Sequence, residues 1–415
     1  MLDRTSKANL RWVLCGLLFL ATTINYMCSS ALGLVEPILK HMLGSDQDLA
    51  LYNRHYSDIV ICFLVAYGLG SLIAGLVIDR IGANKGYAVS AVVWAFASIS
   101  HAFVRTVTGF GIARFALGLG SAGNFPAALK ATADWFPVEE RALATGIFSS
   151  GSSTALVIAP LLIPWVALRF GWQAVFLATG GLSLIWLAAW LLFPYRRMPQ
   201  PLRTAENLPS TLEKAPRASF KSLLRNRGTW NFAFSKAITD PVWWIYIFWL
   251  PKYFNENFQM NMAQIGLPLT IVYVGATVGS IAGGWLAGHF IRRGRSVRSG
   301  RRLAMLICAL CTVPVMLVPF VHPLWQATGI LCLATAAHQG WSANLLSTPS
   351  DMFPSSSVGT VVGIGGAVSS ASSAVFASVI GILWTNHSLL VFLAAGLVYL
   401  LAVAAFQWRD PAPVP

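Results

Sequence analysis

Of the 415 residues, 56% are hydrophobic and only 11% charged, with a mean hydropathy of +0.64. A soluble chain of this length needs more charge to cover its surface, and a β-barrel would show short alternating segments, so both classes are excluded. The formal net charge of +14 is gathered mainly in two connections, 196–227 and 292–302. This is the positive-inside pattern, which sets those loops in the cytoplasm and gives no reason to expect a nucleic-acid partner.

Apolar runs of about 20 residues, long enough to cross a bilayer, recur along the chain. Twelve transmembrane helices are expected, near 12–35, 57–79, 87–105, 109–131, 141–164, 173–193, 229–254, 265–288, 303–321, 324–349, 357–384 and 388–408. The first continues into further spans without a convincing cleavage site, so it is expected to stay as a membrane helix. The fold class is therefore an all-α polytopic membrane protein. Residues 1–193 form one six-helix bundle, 194–228 a basic cytoplasmic linker and 229–415 a second bundle, with both termini cytoplasmic.

Within the first span, "TTINYMCSSALGLVEP" (Thr22–Pro37) opens on a polar but uncharged patch, Thr22 to Ser30, in which Asn25 and Tyr26 offer hydrogen bonds. After the second span, "GLVIDRIGANK" (Gly75–Lys85) combines a close-packing Gly75 with Asp79, Arg80 and Lys85. Asp79 suits a helix N-terminus or a basic partner, and the two cations hold the cytoplasmic face. Arg114 lies inside the fourth span, where a guanidinium costs at least ~2.5 kcal/mol and needs a partner. Lys130 closes that span and reads as a cytoplasmic anchor.

The halves repeat. "DWFPVEERALATG" from Asp134 and "DMFPSSSVGTVVG" from Asp351 align Asp, Phe, Pro and the final Gly146 and Gly363 at one offset, 351 − 134 = 217. "GLVIDRIGANKG" from Gly75 echoes "GGWLAGHFIRRG" from Gly283. Six-span repeats imply a transporter with a central site between two bundles.

In the second half, Lys236 and Asp240 are four apart on one helix face, either an ion pair or a substrate contact. Pro241 is expected to break or kink that helix. In the tenth span the offset pairs His338 with Ser121, so both are expected on the cavity. His338 could titrate near neutral pH, and Gln339 and Asn344 could read hydroxyls. The six cysteines all sit in apolar surroundings. Cys308-x-x-Cys311 has no second pair, so neither metal nor cofactor is expected.

The loop from Gly75 to Lys85 resembles the signature loop of the major facilitator superfamily, which implies a gate-locking element carrying Asp79, Arg80 and Lys85. "TTINYM", "GIARFALGLGSAGNFPAALKATADWFP", "RALATGIF", "DPVWWIYIFWLPKYF" and "AAHQGWSANL" resemble its anion:cation symporters, in the hexuronate-transporter branch. The resemblance implies alternating-access transport of a sugar acid, usually with protons, in a bacterial inner membrane. It places Tyr26, Tyr67 and Lys236 on the cavity wall. It also identifies Arg114 as the retained family arginine, whose counter-charge a bound substrate carboxylate would supply. The pattern departs at three charges: Cys28 and Ser29 stand for Asp-Arg, and Ser121 for Glu.

The expected function is a secondary transporter of a small organic anion, most simply a hexuronate, with proton coupling weakened and carried, if anywhere, by Asp240 or His338. The expected state is a monomer. The rivals are a neutral sugar derivative or aromatic acid as cargo, and a sensor that binds without turnover. A sensor is expected to carry an added signalling domain or long tail, and the ending "QWRDPAPVP" is expected to count against it. No nucleophile–base pair suggests an enzyme.

Overall fold

The computed structural model describes residues 4–39, 49–195, 219–248, 250–260 and 262–406. Expectations for the chain ends and for most of the 194–228 connection lie outside the described residues. Among the described residues, all regular structure is helical, as hydrocarbon requires of a chain that must satisfy its own backbone. The helices are α1 (Arg4–Leu39), α2 (Leu49–Ile81), α3 (Ala83–Ser100), α4 (Val107–Ser121), α5 (Asn124–Trp135), α6 (Val138–Phe170) and α7 (Trp172–Leu192). A short α8 (Phe220–Arg225) precedes α9 (Arg227–Phe248), α10 (Leu250–Phe258), α11 (Met262–Arg292), α12 (Val297–Thr312), α13 (Leu324–Met352) and α14 (Ser355–Ala405).

These pieces account for twelve crossings. α4 and α5 form one span broken at Ala122–Gly123, and α12 continues through a 3₁₀ stretch, Val313–Phe320. α14 has 51 residues, which would reach about 75 Å if straight. Yet Ser369 bonds Asp240, Ser372 bonds Ala237, and Tyr399 bonds Thr239. Both halves of the element therefore lie against the same turn of α9, and the chain reverses between them. Eight of the crossings hold uninterrupted apolar helices of 21 to 33 residues. The spans of α4–α5, α9, α13 and the second half of α14 fall outside that set, and the first three carry Arg114, the Lys236–Asp240 pair and His338–Gln339.

α9 does not break at Pro241. A proline at 241 cannot donate to the carbonyl of Ala237, and Ser372 Oγ of α14 donates to that oxygen instead at 2.5 Å. The helix stays whole because a neighbour fills the vacant bond.

α1–α7 pack into one bundle and α9–α14 into another, and the two meet along α2–α14 and α6–α11. Both seams rest on small residues of the repeat. A side chain at Gly146 would strike the Ser280 carbonyl, and one at Gly363 would strike that of Ser71. Likewise Gly75 lies on Gly359, and Gly284 on Ala142. Gly75 thus corresponds to Gly284 rather than Gly283, which packs on Gly340 inside its own bundle. Inside the first bundle, Tyr87, Trp94, Trp186 and Trp190 form one aromatic cluster. The indole of Trp186 donates to the Leu17 carbonyl at 2.8 Å, and that of Trp190 to Asn84 at 3.1 Å.

Candidate functional site

One end of the molecule carries Arg80, Lys85, Arg141 and the basic turn after α11, and is here called the basic end. Tyr67, Ser153, Asp240, Gln339 and Ser369 each lie 13 to 15 residues, about 20 Å, in from that end of their helices. They share one layer near mid-membrane. In it Lys236 Nζ pairs with Asp240 Oδ2, and Ser369 Oγ of α14 donates to the same oxygen at 2.5 Å. Both members of the pair keep a little exposure, 17% and 19% of their side chains, so the pair lines accessible space. Tyr26 of α1 and Tyr67 of α2 lie close enough to each other, and to Asp240, to interact electrostatically. Two phenols of the first bundle therefore face an ion pair of the second.

The other sequence candidates take different partners. His338 is buried within the second bundle, bonded to the Tyr399 hydroxyl and stacked on Trp243 at 5.2 Å. Gln339 reaches across the bundles to Ser153 Oγ at 2.9 Å. Asn344 is fully buried, its amide donating to the Gly283 and Gly340 carbonyls at 2.8 and 2.9 Å, so it clamps α13 to α11. Arg114 lies seven residues, about 10 Å, from the far end of α4, in a layer apart from Lys236. It is 4% exposed; Nη1 donates to the Ser29 carbonyl at 2.8 Å, and the guanidinium sits 5.7 Å from the Phe63 ring centre. The six cysteines are free thiols, and no group of His, Cys, Asp or Glu among the described residues could hold a metal.

The polar patch of α1 resolves residue by residue. Asn25 donates to Ser121 Oγ at 3.1 Å, and Thr22 accepts from Asn124 at 3.3 Å, tying α1 to the break between α4 and α5. Cys28 points at Thr179 and Ser183 of α7, each 3.6 Å away. Ser29 turns back on Asn25 and lends its carbonyl to Arg114. Most of the patch joins helices through short polar side chains. Tyr26 alone carries it toward the second bundle.

At the basic end the bundles are latched. Asp79 accepts from the Gly359 and Thr360 amides at 3.0 and 2.6 Å and from Thr360 Oγ1 at 2.6 Å, while Lys130 pairs with it at 2.9 Å. Lys130 also donates to the Ser355 carbonyl, and Ser355 to Asp134. Arg141 donates to the Ser350 carbonyl at 2.6 Å. Arg301, fully buried, binds Asp351 and reaches the Val138 carbonyl at 3.2 Å. Lys130, Arg141, Arg301, Asp351 and Ser369 were not among the sequence candidates. The repeated Asp-Phe-Pro motif was the available signal, since both its aspartates are latch acceptors. Arg80 and Lys85, by contrast, are exposed and make none of these latch contacts among the described residues.

Two helical bundles that meet through pseudo-symmetric seams, with a charged pair at mid-membrane, define an alternating-access membrane carrier. The family model of the Major Facilitator Superfamily matches residues 18–377, and the chain belongs to that superfamily. It is similar to a hexuronate transporter of Escherichia coli K12, 31% identical over 385 residues, covering 90% of this chain and 88% of that one. It is 30% identical to a galacturonate transporter of Dickeya chrysanthemi over 79% of this chain and 96% of the relative. Among solved structures it resembles the proton:xylose symporter XylE, with TM-score 0.77 and 14% identity over 99% and 97% of the chains. It also resembles the human organic anion transporter MFSD10, with TM-score 0.72 and 17% identity over 95% and 98%.

Proposed function

We propose that the protein carries a sugar acid of the hexuronate class across the membrane by alternating access. The observation that carries this reading is the Lys236–Asp240 pair facing Tyr26 and Tyr67. A substrate carboxylate entering there competes with Asp240 for the Lys236 ammonium, and the two phenols and Ser369 meet ring hydroxyls. Arg114 adds fixed positive charge in the next layer and holds α1 through Ser29. The similarity to hexuronate and galacturonate transporters supports the same cargo.

With the basic end cytoplasmic in a bacterial inner membrane, the latched conformation opens its site outward. Proton coupling, where it occurs, rests on Asp240, the mid-membrane carboxylate paired with Lys236. His338, spent on Tyr399 and Trp243, is left with a packing role. The protein acts as a monomer, since each site is completed by the two bundles of one chain.

The test is calorimetric titration of the purified protein with galacturonate, glucuronate, the matching neutral sugars and an aromatic acid. Saturable binding of the sugar acids alone is expected. Preference for neutral sugars or aromatic acids would overturn the cargo. Binding without counterflow in proteoliposomes would replace the carrier by a sensor.

A further inference from the structure

Arg80 and Lys85 belong to the loop that suggested a lock, yet the latch is made by Asp79, Lys130, Asp134 and Arg141 on the other side of α2. Both cations instead line a groove of about 620 Å³ on the flank of the first bundle, bounded by the end of α2, the start of α3 and the end of α7. Among the described residues neither cation pairs with a carboxylate. Between them the groove holds Asn84, whose side-chain oxygen is buried without a hydrogen-bond donor. Its remaining walls include Ile81, Val89 and Leu191, which are 41%, 53% and 63% exposed and belong against lipid.

This is an amphipathic site with its polar part at the basic end and its apolar part along the hydrocarbon. Two uncompensated cations select a net anion, a buried acceptor selects a hydroxyl donor, and the apolar wall selects chains. We propose that the groove binds one anionic phospholipid with a hydroxyl-bearing headgroup, of the phosphatidylglycerol kind. Its phosphodiester lies on Arg80 and Lys85, its headgroup hydroxyl donates to Asn84, and its acyl chains follow Ile81, Val89 and Leu191. All its contacts fall on α2, α3 and α7 of one bundle, so the lipid can stay bound while the bundles rock. The site is independent of the cargo of the central cavity.

The full-length protein in neutral detergent, mixed with phosphatidylglycerol or phosphatidylcholine, can be examined by native mass spectrometry. One phosphatidylglycerol should be retained in preference to phosphatidylcholine. Arg80→Ala and Lys85→Ala should each lower retention about fivefold, from about one basic contact apiece, and both together by roughly their product. Arg80→Lys should keep most of the retention, and Arg293→Gln, an exposed cation elsewhere on the basic end, should keep all of it. Equal retention of the two lipids, an unchanged double variant, or an equal loss in Arg293→Gln would each overturn the proposal. So would displacement of the lipid by millimolar inorganic phosphate, which would assign the two cations to a free anion.

Discussion

Lys236 is four residues from its partner, so their pairing could be read from helical periodicity, whereas the third member, Ser369, lies 129 residues from Asp240 and could not. Cys28 and Asn344 show the same limit from the other side. In helices that are apolar or small all round, sequence does not say which face looks inward, and these two look at α7 and α11. Lys236→Gln separates the two readings of the pair. If the ammonium holds a substrate carboxylate, loss of that charge-assisted contact should weaken sugar-acid binding roughly ten- to a hundredfold in calorimetry. A lowered melting temperature with unchanged affinity would make the pair structural. Arg114→Ala is expected to show the opposite balance: it strands the Ser29 carbonyl, lowering stability by about 1–3 kcal/mol, with a smaller effect on affinity than Lys236→Gln. A larger affinity loss in Arg114→Ala would return the carboxylate anchor to the first bundle.

At the scale of elements, nearly every span could be placed from hydropathy, because a bilayer imposes one length on all of them. What remained hidden was how a helix with a faulty backbone is repaired. Pro241 is expected from sequence to break or kink the helix, yet Ser372 supplies the missing donor from another helix, and α9 is not broken. Ser372→Ala should therefore cost about 1–3 kcal/mol, as a buried carbonyl loses its partner. In a Pro241→Ala background the helix can make its own bond to Ala237, and the cost of Ser372→Ala should largely vanish. A double-mutant cycle on thermal unfolding checks this. Additive effects would mean that the serine matters through packing alone. The seams make the same point about glycine. The motif spacing paired Gly146 with Gly363, but only the close backbone approaches showed that Gly75 answers to Gly284.

For the whole molecule, the latch sets which end of the cavity is closed. Asp79→Asn would leave Lys130 buried without its counter-charge, a change that typically costs 3–5 kcal/mol, and the penalty falls on the latched state alone. A cysteine replacing Ser350, buried beside Arg141 in the latch, should then react faster with a membrane-impermeant maleimide than in the parent. Unchanged reactivity would show that Arg141 and Arg301 suffice to hold the end shut. Energetics of the cycle then bear on coupling. Moving a monoanion alone into a negative-inside compartment costs about 2.3 kcal/mol per 100 mV, a penalty of order fifty-fold in concentration. Where the resemblance implies carboxylates, this chain has Cys28 and Ser121, and both are engaged in helix packing. Asp240 remains, held in its ion pair with Lys236. Proton-driven accumulation should therefore be weak beside substrate exchange, and what there is should depend on Asp240. In proteoliposomes, counterflow should persist without a gradient, an imposed proton gradient should add little, and Asp240→Asn should abolish that addition while sparing exchange. Strong uphill uptake that survives Asp240→Asn would place the proton on another group and refute this account of the lost charges.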